Sequence, residues 1–161
     1  EGGVGLVHRG IIRSVKSRRD ELTTEGNSFG SETDTGVVAD LLDRENGRCS
    51  DVTTAWLAVL ARLEGAFALA AIVSGEDGVL LGARRGAPLV AAAGDGVGYL
   101  ASDIMAIAGE ARSMIYLEEG DAAIVRPGSI EIFDLSGKLV ARPVQPAITS
   151  MVLAEKGNYR H

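Results

Sequence analysis

The sequence holds a single cysteine, Cys49, in 161 residues. One thiol excludes an internal disulfide and fits a reducing cytoplasm, the expected location. Aromatic residues are scarce at 4%, which disfavours stacking platforms for single strands or sugars. Excess positive charge is also lacking: 16 Lys and Arg against 22 Asp and Glu leave a net charge of −6. Phosphate binding needs clustered cations, so nucleic acid is not an expected partner. The one local cluster, Arg13, Lys16, Arg18 and Arg19, is followed at once by Asp20 and Glu21 and reads as a solvated helix face. No stretch approaches the roughly 18 consecutive apolar residues of a membrane span. The richest apolar run, Ala66 to Val73, stops at Ser74-Gly75 and reads as a buried strand. The opening residues carry no basic region followed by a hydrophobic stretch, so they do not read as a secretory signal. They also lack an initiator Met, and the expectation is a start inside a longer gene product or after processing.

The two histidines, His8 and His161, stand at opposite ends of the chain. With no second cysteine they make no metal constellation, and neither a metal nor a cofactor is expected. Gly94-Asp95-Gly96-Val97-Gly98 misses the dinucleotide spacing and runs into a strand rather than a helix, so it reads as a hairpin turn. Cys49 follows Asn46-Gly47-Arg48 between two helices with no histidine nearby in sequence, and reads as a bystander thiol.

The apolar fraction of 46% suits a globular core. Val4 to Val7 read as a strand continuing weakly through Ile11-Ile12, and Arg13 to Glu25 as a polar helix ending at Gly26-Asn27. Ser31-Glu32-Thr33-Asp34-Thr35 opens a helix whose stripe is Val37, Val38, Leu41 and Leu42, with a stop expected at Asn46-Gly47. A second helix starts near Ser50-Asp51, buries Val52, Trp56, Val59, Leu60 and Leu63, and is expected to end at Gly65. From Ala66 the period becomes that of strands, with turns at Asp77-Gly78, Gly94 to Gly96, Glu119-Gly120, Pro127-Gly128 and Ser136-Gly137. Ser102-Asp103 caps a short helix through Ile107, and the strand pattern dissolves after Val140. Two helices followed by six or seven strands on tight turns predict an α+β architecture with an antiparallel sheet.

Two segments carry possible chemistry. A strand ends at Gly10 within Val7-His8-Arg9-Gly10-Ile11-Ile12. A strand-end glycine lets a ligand approach the backbone, and its N–H can face a developing oxyanion; a simple kink is the other reading. Ser31 to Thr35 is rich in oxygens that cap helices, and capping alone would explain Thr33 and Asp34.

Read together, these segments resemble the glutaminase domain of the glucosamine-6-phosphate synthases, that is, the glutamine–fructose-6-phosphate aminotransferases. That family carries a strand ending His-Asn-Gly-Ile-Ile and, after a helix, Ser-Glu-Thr-Asp-Thr-Glu. Here they read His8-Arg9-Gly10-Ile11-Ile12 and Ser31-Glu32-Thr33-Asp34-Thr35-Gly36. Leu63-Glu64-Gly65-Ala66-Phe67, Ala83-Arg84-Arg85-Gly86-Ala87-Pro88-Leu89-Val90, Tyr99-Leu100-Ala101-Ser102-Asp103 and Tyr116-Leu117-Glu118-Glu119-Gly120-Asp121 follow in family order. The tail from Glu155 to His161 is similar to the family's junction with its sugar-isomerase half. Another class II amidotransferase, such as the purine-pathway phosphoribosyl enzyme, fits the Ser31 to Thr35 segment and the tail less well.

The resemblance implies an αββα sandwich of the N-terminal-nucleophile hydrolase type, with two antiparallel sheets between helical layers. Residues 1–142 are then the C-terminal part of a type 2 glutamine amidotransferase domain, and 143–161 a linker toward a sugar-isomerase domain. It also implies glutamine as substrate, attacked by an N-terminal Cys, with ammonia passed on to convert fructose 6-phosphate to glucosamine 6-phosphate. Carried over by position, Gly10 offers its N–H to the oxyanion, Arg9 stands where the family has an oxyanion-hole Asn, and Asp34, beside Thr33, binds the α-ammonium of glutamine. A carboxylate suits that last task, because a charge-assisted bond to an ammonium is strong and directional. The family's Cys nucleophile and Arg-Trp motif would lie upstream of Glu1, so these residues alone are expected to be inactive. A non-catalytic ligand- or partner-binding relative is the alternative. A sheet lacking its N-terminal cover would further favour a homo-oligomer. The whole reading requires Gly10 and Asp34 to converge on one small cavity.

Overall fold

The computed structural model of the chain describes residues 3–12, 34–107 and 109–147. Its first strand, β1 (Val4–Ile12), lies along the full length of β2 (Gly65–Val73), antiparallel, with Val4 opposite Val73 and Ile12 opposite Gly65. Between them in sequence come α1 (Asp34–Arg48) and α2 (Val52–Leu60). The remaining strands are β3 (Leu80–Arg85), β4 (Val90–Gly94), β5 (Val97–Ala101), β6 (Ser113–Tyr116), β7 (Ala122–Arg126), β8 (Ser129–Phe133), β9 (Leu139–Val140) and β10 (Gln145–Pro146). The expected polar helix over Arg13 to Glu25 lies outside the described residues.

The strands form two antiparallel sheets, one ordered β1-β2-β3-β7-β8-β9 and the other β10-β6-β4-β5. Alternation along each strand sorts the apolar side chains into three cores. Val37, Val38, Leu41 and Leu42 of α1, with Trp56 and Val59 of α2, pack on Phe67, Leu69, Leu81 and Ile124 of the six-stranded sheet. Its other face, through Ala68, Ala123 and Val125, meets Leu89, Ala91, Ile115 and Leu117. The outer face of the four-stranded sheet, Val90, Ala92 and Met114, is covered by Ile104 and Ile107 of a 3-10 turn and by Ala147. The molecule thus has the α+β make-up that the sequence pattern predicts and the two antiparallel sheets that the resemblance implies, with helices on one sheet and a second sheet behind it.

Particular residues lock the layers. The Trp56 indole is fully buried and donates to the Gly82 carbonyl at 2.8 Å, tying α2 to β3. Arg85 donates to the carbonyls of Leu63 and Leu60 at 2.5 and 2.6 Å, satisfying the last residue of α2 and the turn that follows it, and its guanidinium stands 5.3 Å from the centre of the Phe67 ring. Burial pushes the Arg85 pKa down, and Glu119 acts against that shift. Between the sheets, glycine is required where they touch: a Cβ on Gly98 would overlap Val125 Cγ1.

Some boundaries differ from expectation. Helix α1 runs through Asn46-Gly47 to Arg48, because Gly47 keeps an ordinary backbone and the Cys49 amide still bonds the Glu45 carbonyl at 2.9 Å. Helix α2 stops at Leu60 rather than Gly65; Leu63 N bonds the Leu60 carbonyl in a tighter turn, and Gly65, at φ 136, swings the chain into β2. Past Val140, Gln145 and Pro146 still pair with Met114 and Ser113.

Candidate functional site

The site-bearing strand owes its shape to alternation. Val4 and Leu6 of β1 pack against the helix-side core, which places His8 on that same face and Gly5 and Val7 on the other. His8 therefore meets α1: its Nδ1 lies 2.7 Å from the Thr35 hydroxyl, across 27 residues of sequence. That bond joins the middle of β1 to the first turn of α1. Arg9 and Gly10 follow at once on β1, opposite Ala68 and Phe67, and Asp34 is the first residue of α1. The sequence-derived residues Arg9, Gly10 and Asp34 thus stand on the two elements that His8 and Thr35 clasp. Thr33 lies outside the described residues.

The same register row places more positive charge. Ala68, opposite Arg9, pairs on its other side with Arg84. Arg84 donates to the Leu117 carbonyl, and its Nε is buried with no hydrogen-bond partner among the described residues. The row ends at Asp121, whose carbonyl accepts the Arg84 amide. The Asp121 side chain is fully buried and takes two hydrogen bonds from Arg142, at 2.8 and 2.9 Å, and one from the Glu118 amide at 2.8 Å. These hydrogen bonds to Asp121 hold the Arg142 pKa above its ordinary value.

Beside β1, a cleft of about 420 Å³ opens between the sheets, bounded by Val7 and His8, by Ala68 to Ala70, and by Leu100, Ser102 and Asp103 across the gap. Asp103 is held there by accepting the Met105 amide at 2.9 Å. The cleft is mostly apolar with a few polar groups at its rim, the usual make-up of a small-molecule site. Among the described residues no group of three or more His, Cys, Asp or Glu could hold a metal ion.

Cys49 lies in the α1–α2 connection, half-buried, with Sγ 4.0 Å from Glu45 Oε2. No histidine contacts it among the described residues, and it stands apart from β1 and the start of α1. The Gly94–Gly98 segment is a hairpin: Asp95 and Gly96, at φ 51 and 78, form a two-residue turn between Gly94 and Val97. What sequence reasoning missed is the clasp itself. Both partners stand inside the quoted motifs, but nothing in the spacing says that a histidine on a strand will face a helix 27 residues on.

Residues 1–109 match the family model described as "Glutamine amidotransferase domain". The chain belongs to that family. Glutamine–fructose-6-phosphate aminotransferase (isomerizing) of Caulobacter vibrioides is 47% identical over 160 residues, and that of Mesorhizobium japonicum 45% over 159, each match covering 99% of this chain. Those matches cover 26% of the relatives, so this amidotransferase chain spans about a quarter of the length of the curated relatives it matches. Among solved structures, glutamine phosphoribosylpyrophosphate amidotransferase from B. subtilis superposes with a TM-score of 0.67 at 20% identity, over 86% of this chain and 30% of that one. The likeness gives the amidotransferase chain its fold: the N-terminal-nucleophile-type sandwich that the sequence resemblance implies.

Proposed function

We propose that this chain is the glutamine-gripping portion of a glutaminase, in a protein that converts fructose 6-phosphate to glucosamine 6-phosphate with the ammonia released. The observation that carries the reading is the His8–Thr35 clasp, which draws together the two elements bearing Gly10 and Asp34. In this reading the Gly10 N–H faces the oxyanion that forms at the glutamine side-chain amide. Asp34, with Thr33 beside it, binds the α-ammonium at the other end. The attacking thiol is not Cys49; we assign it to an N-terminal Cys outside these 161 residues. Residues 1–142 form the amidotransferase portion and 143–161 the passage to a sugar-isomerase domain, the partner that uses the ammonia. No metal or cofactor enters this step. Among the described residues no helix is long and apolar enough to cross a membrane, and a lone thiol accords with a cytoplasmic location. Self-association through the open sheet edge completes the proposal.

Glutaminase assay of the complete gene product tests the reading: ammonia release from glutamine is expected, and its absence overturns it. The expected rate is modest. Arg9 replaces a neutral donor with a longer, permanently charged one, and losing one oxyanion donor costs about 10²–10³ in rate. That same residue favours a second reading, a ligand-binding relative without catalysis. Calorimetry separates the two: glutamine binding with no ammonia release would establish the second.

A further inference from the structure

The clasp stands one residue from Asp34 on α1 and two from Gly10 on β1. Two residues of strand span about 6.6 Å, and a helix's first turn moves as a unit with its cap, so the backbone positions of both gripping residues follow the His8–Thr35 distance. The chain joining Gly10 to Asp34 otherwise passes through 11–33, far too long to fix a spacing by covalent geometry alone. Packing of Val4 and Leu6 against the core that α1 also lines holds the two elements together, and the 2.7 Å bond pins them at the end where Gly10 and Asp34 stand. We infer that His8 and Thr35 are positioning residues that set the gap between the oxyanion-facing amide and the ammonium-binding carboxylate. The site thereby measures the length of the amino-acid side chain it accepts.

The inference rests on the glutaminase reading given above. An amino acid held at both ends is tested by its methylene count: asparagine is glutamine shortened by one CH₂, and one methylene commonly separates substrates by about 10–200-fold. That discrimination survives only while the two grips are held at a constant distance. A shift of about 1 Å in a bound substrate is enough to cost about 10²-fold. Val is close to Thr in shape but lacks the hydroxyl, and so removes the clasp with little change in packing. Ser keeps the hydroxyl.

The experiment uses the complete gene product, assayed for ammonia release from glutamine and from asparagine, native and with Thr35→Val, Thr35→Ser and His8→Gln. Thr35→Val is expected to raise KM for glutamine about tenfold and to narrow the preference for glutamine over asparagine by a similar factor, about one methylene's worth. Thr35→Ser should restore both, and His8→Gln should follow Thr35→Val. A ¹⁵N spectrum of the imidazoles should show the His8 Nδ1 resonance moving in Thr35→Val and returning in Thr35→Ser. An active native enzyme whose Thr35→Val form keeps its KM and preference, or loses kcat alone at constant preference, overturns the inference and leaves the glutaminase reading standing. A native protein that releases no ammonia overturns that reading, and the length gauge falls with it.

Discussion

At the scale of single residues, the strongest commitments are polar groups placed where water cannot reach. Trp56 is at 0% exposure and its N–H has one partner, the Gly82 carbonyl. Trp56→Ala removes the largest side chain between α2 and the six-stranded sheet and is expected to cost about 3–5 kcal/mol by urea unfolding. Trp56→Phe keeps most of the volume and removes the hydrogen bond to the Gly82 carbonyl, for about 0.5–1.5 kcal/mol. Asp121 makes a sharper comparison. It and Glu118 both contact Arg142, but the Asp121 side chain is fully buried while that of Glu118 is 61% exposed. A buried carboxylate cannot fall back on water, whereas an exposed ion pair exchanges protein for solvent at little net change. Asp121→Asn should therefore lower the thermal midpoint clearly more than Glu118→Gln. Equal effects would contradict the burial argument.

At the scale of elements, helix α2 is set by its first residues. Asp51 has extended backbone angles and accepts the Thr54 amide at 2.7 Å, and that hydrogen bond holds its carboxyl below the ordinary aspartate value of 3.8. Since folding lowers the pKa, the stabilisation is complete above 3.8 and is lost as pH falls through the lowered value. Asn caps about as well without titrating. Asp51→Asn is thus expected to match the native chain near neutrality and to lose less stability between neutrality and acid, as read by circular dichroism across pH. The cap was legible because Ser50-Asp51 precedes an apolar stripe at helical spacing, and the hairpins because Asp-Gly turns punctuate alternating runs. The ends of the helices were not. Gly47 stays helical and α2 ends early because contacts from elsewhere, such as the Arg85 guanidinium on the Leu60 and Leu63 carbonyls, decide where backbone groups find partners. Two-residue ladders like Gln145–Pro146 carry no periodicity at all. The candidate site was legible as motif, Gly10 and Asp34 with their neighbours. The bond between His8 and Thr35 was not, since it depends on which face of β1 turns toward α1.

At the scale of the whole molecule, the two sheets are unequal among the described residues. Six strands face four, and the pairing order leaves β1 at one edge and β5 at the other sheet's edge. The inner face of β1 and β2 therefore extends past β5, into a shallow apolar cleft of about 320 Å³ lined by Gly5, Val7, Ala70, Ile72, Leu80 and Leu100. Val7, 68% exposed, lies on β1, the edge strand among the described residues, and Ile72, 54% exposed, on its neighbour β2. Such an edge pairs readily with a second copy, because each new ladder bond satisfies groups that were solvated and the apolar face leaves water at the same time. Sedimentation velocity of this chain is expected to show dimers or larger species that grow with concentration. Val7→Lys with Ile72→Lys should shift the population to monomer, since lysines on β1 and on the apolar face beside it must be desolvated for a second copy to cover them. The fold should survive this change, for neither side chain belongs to the buried cores and Val7 meets solvent over most of its surface. A native chain that stays monomeric across a hundredfold concentration range, about 2.7 kcal/mol of mass action, would show that the exposed face is too small or too strongly twisted to drive association.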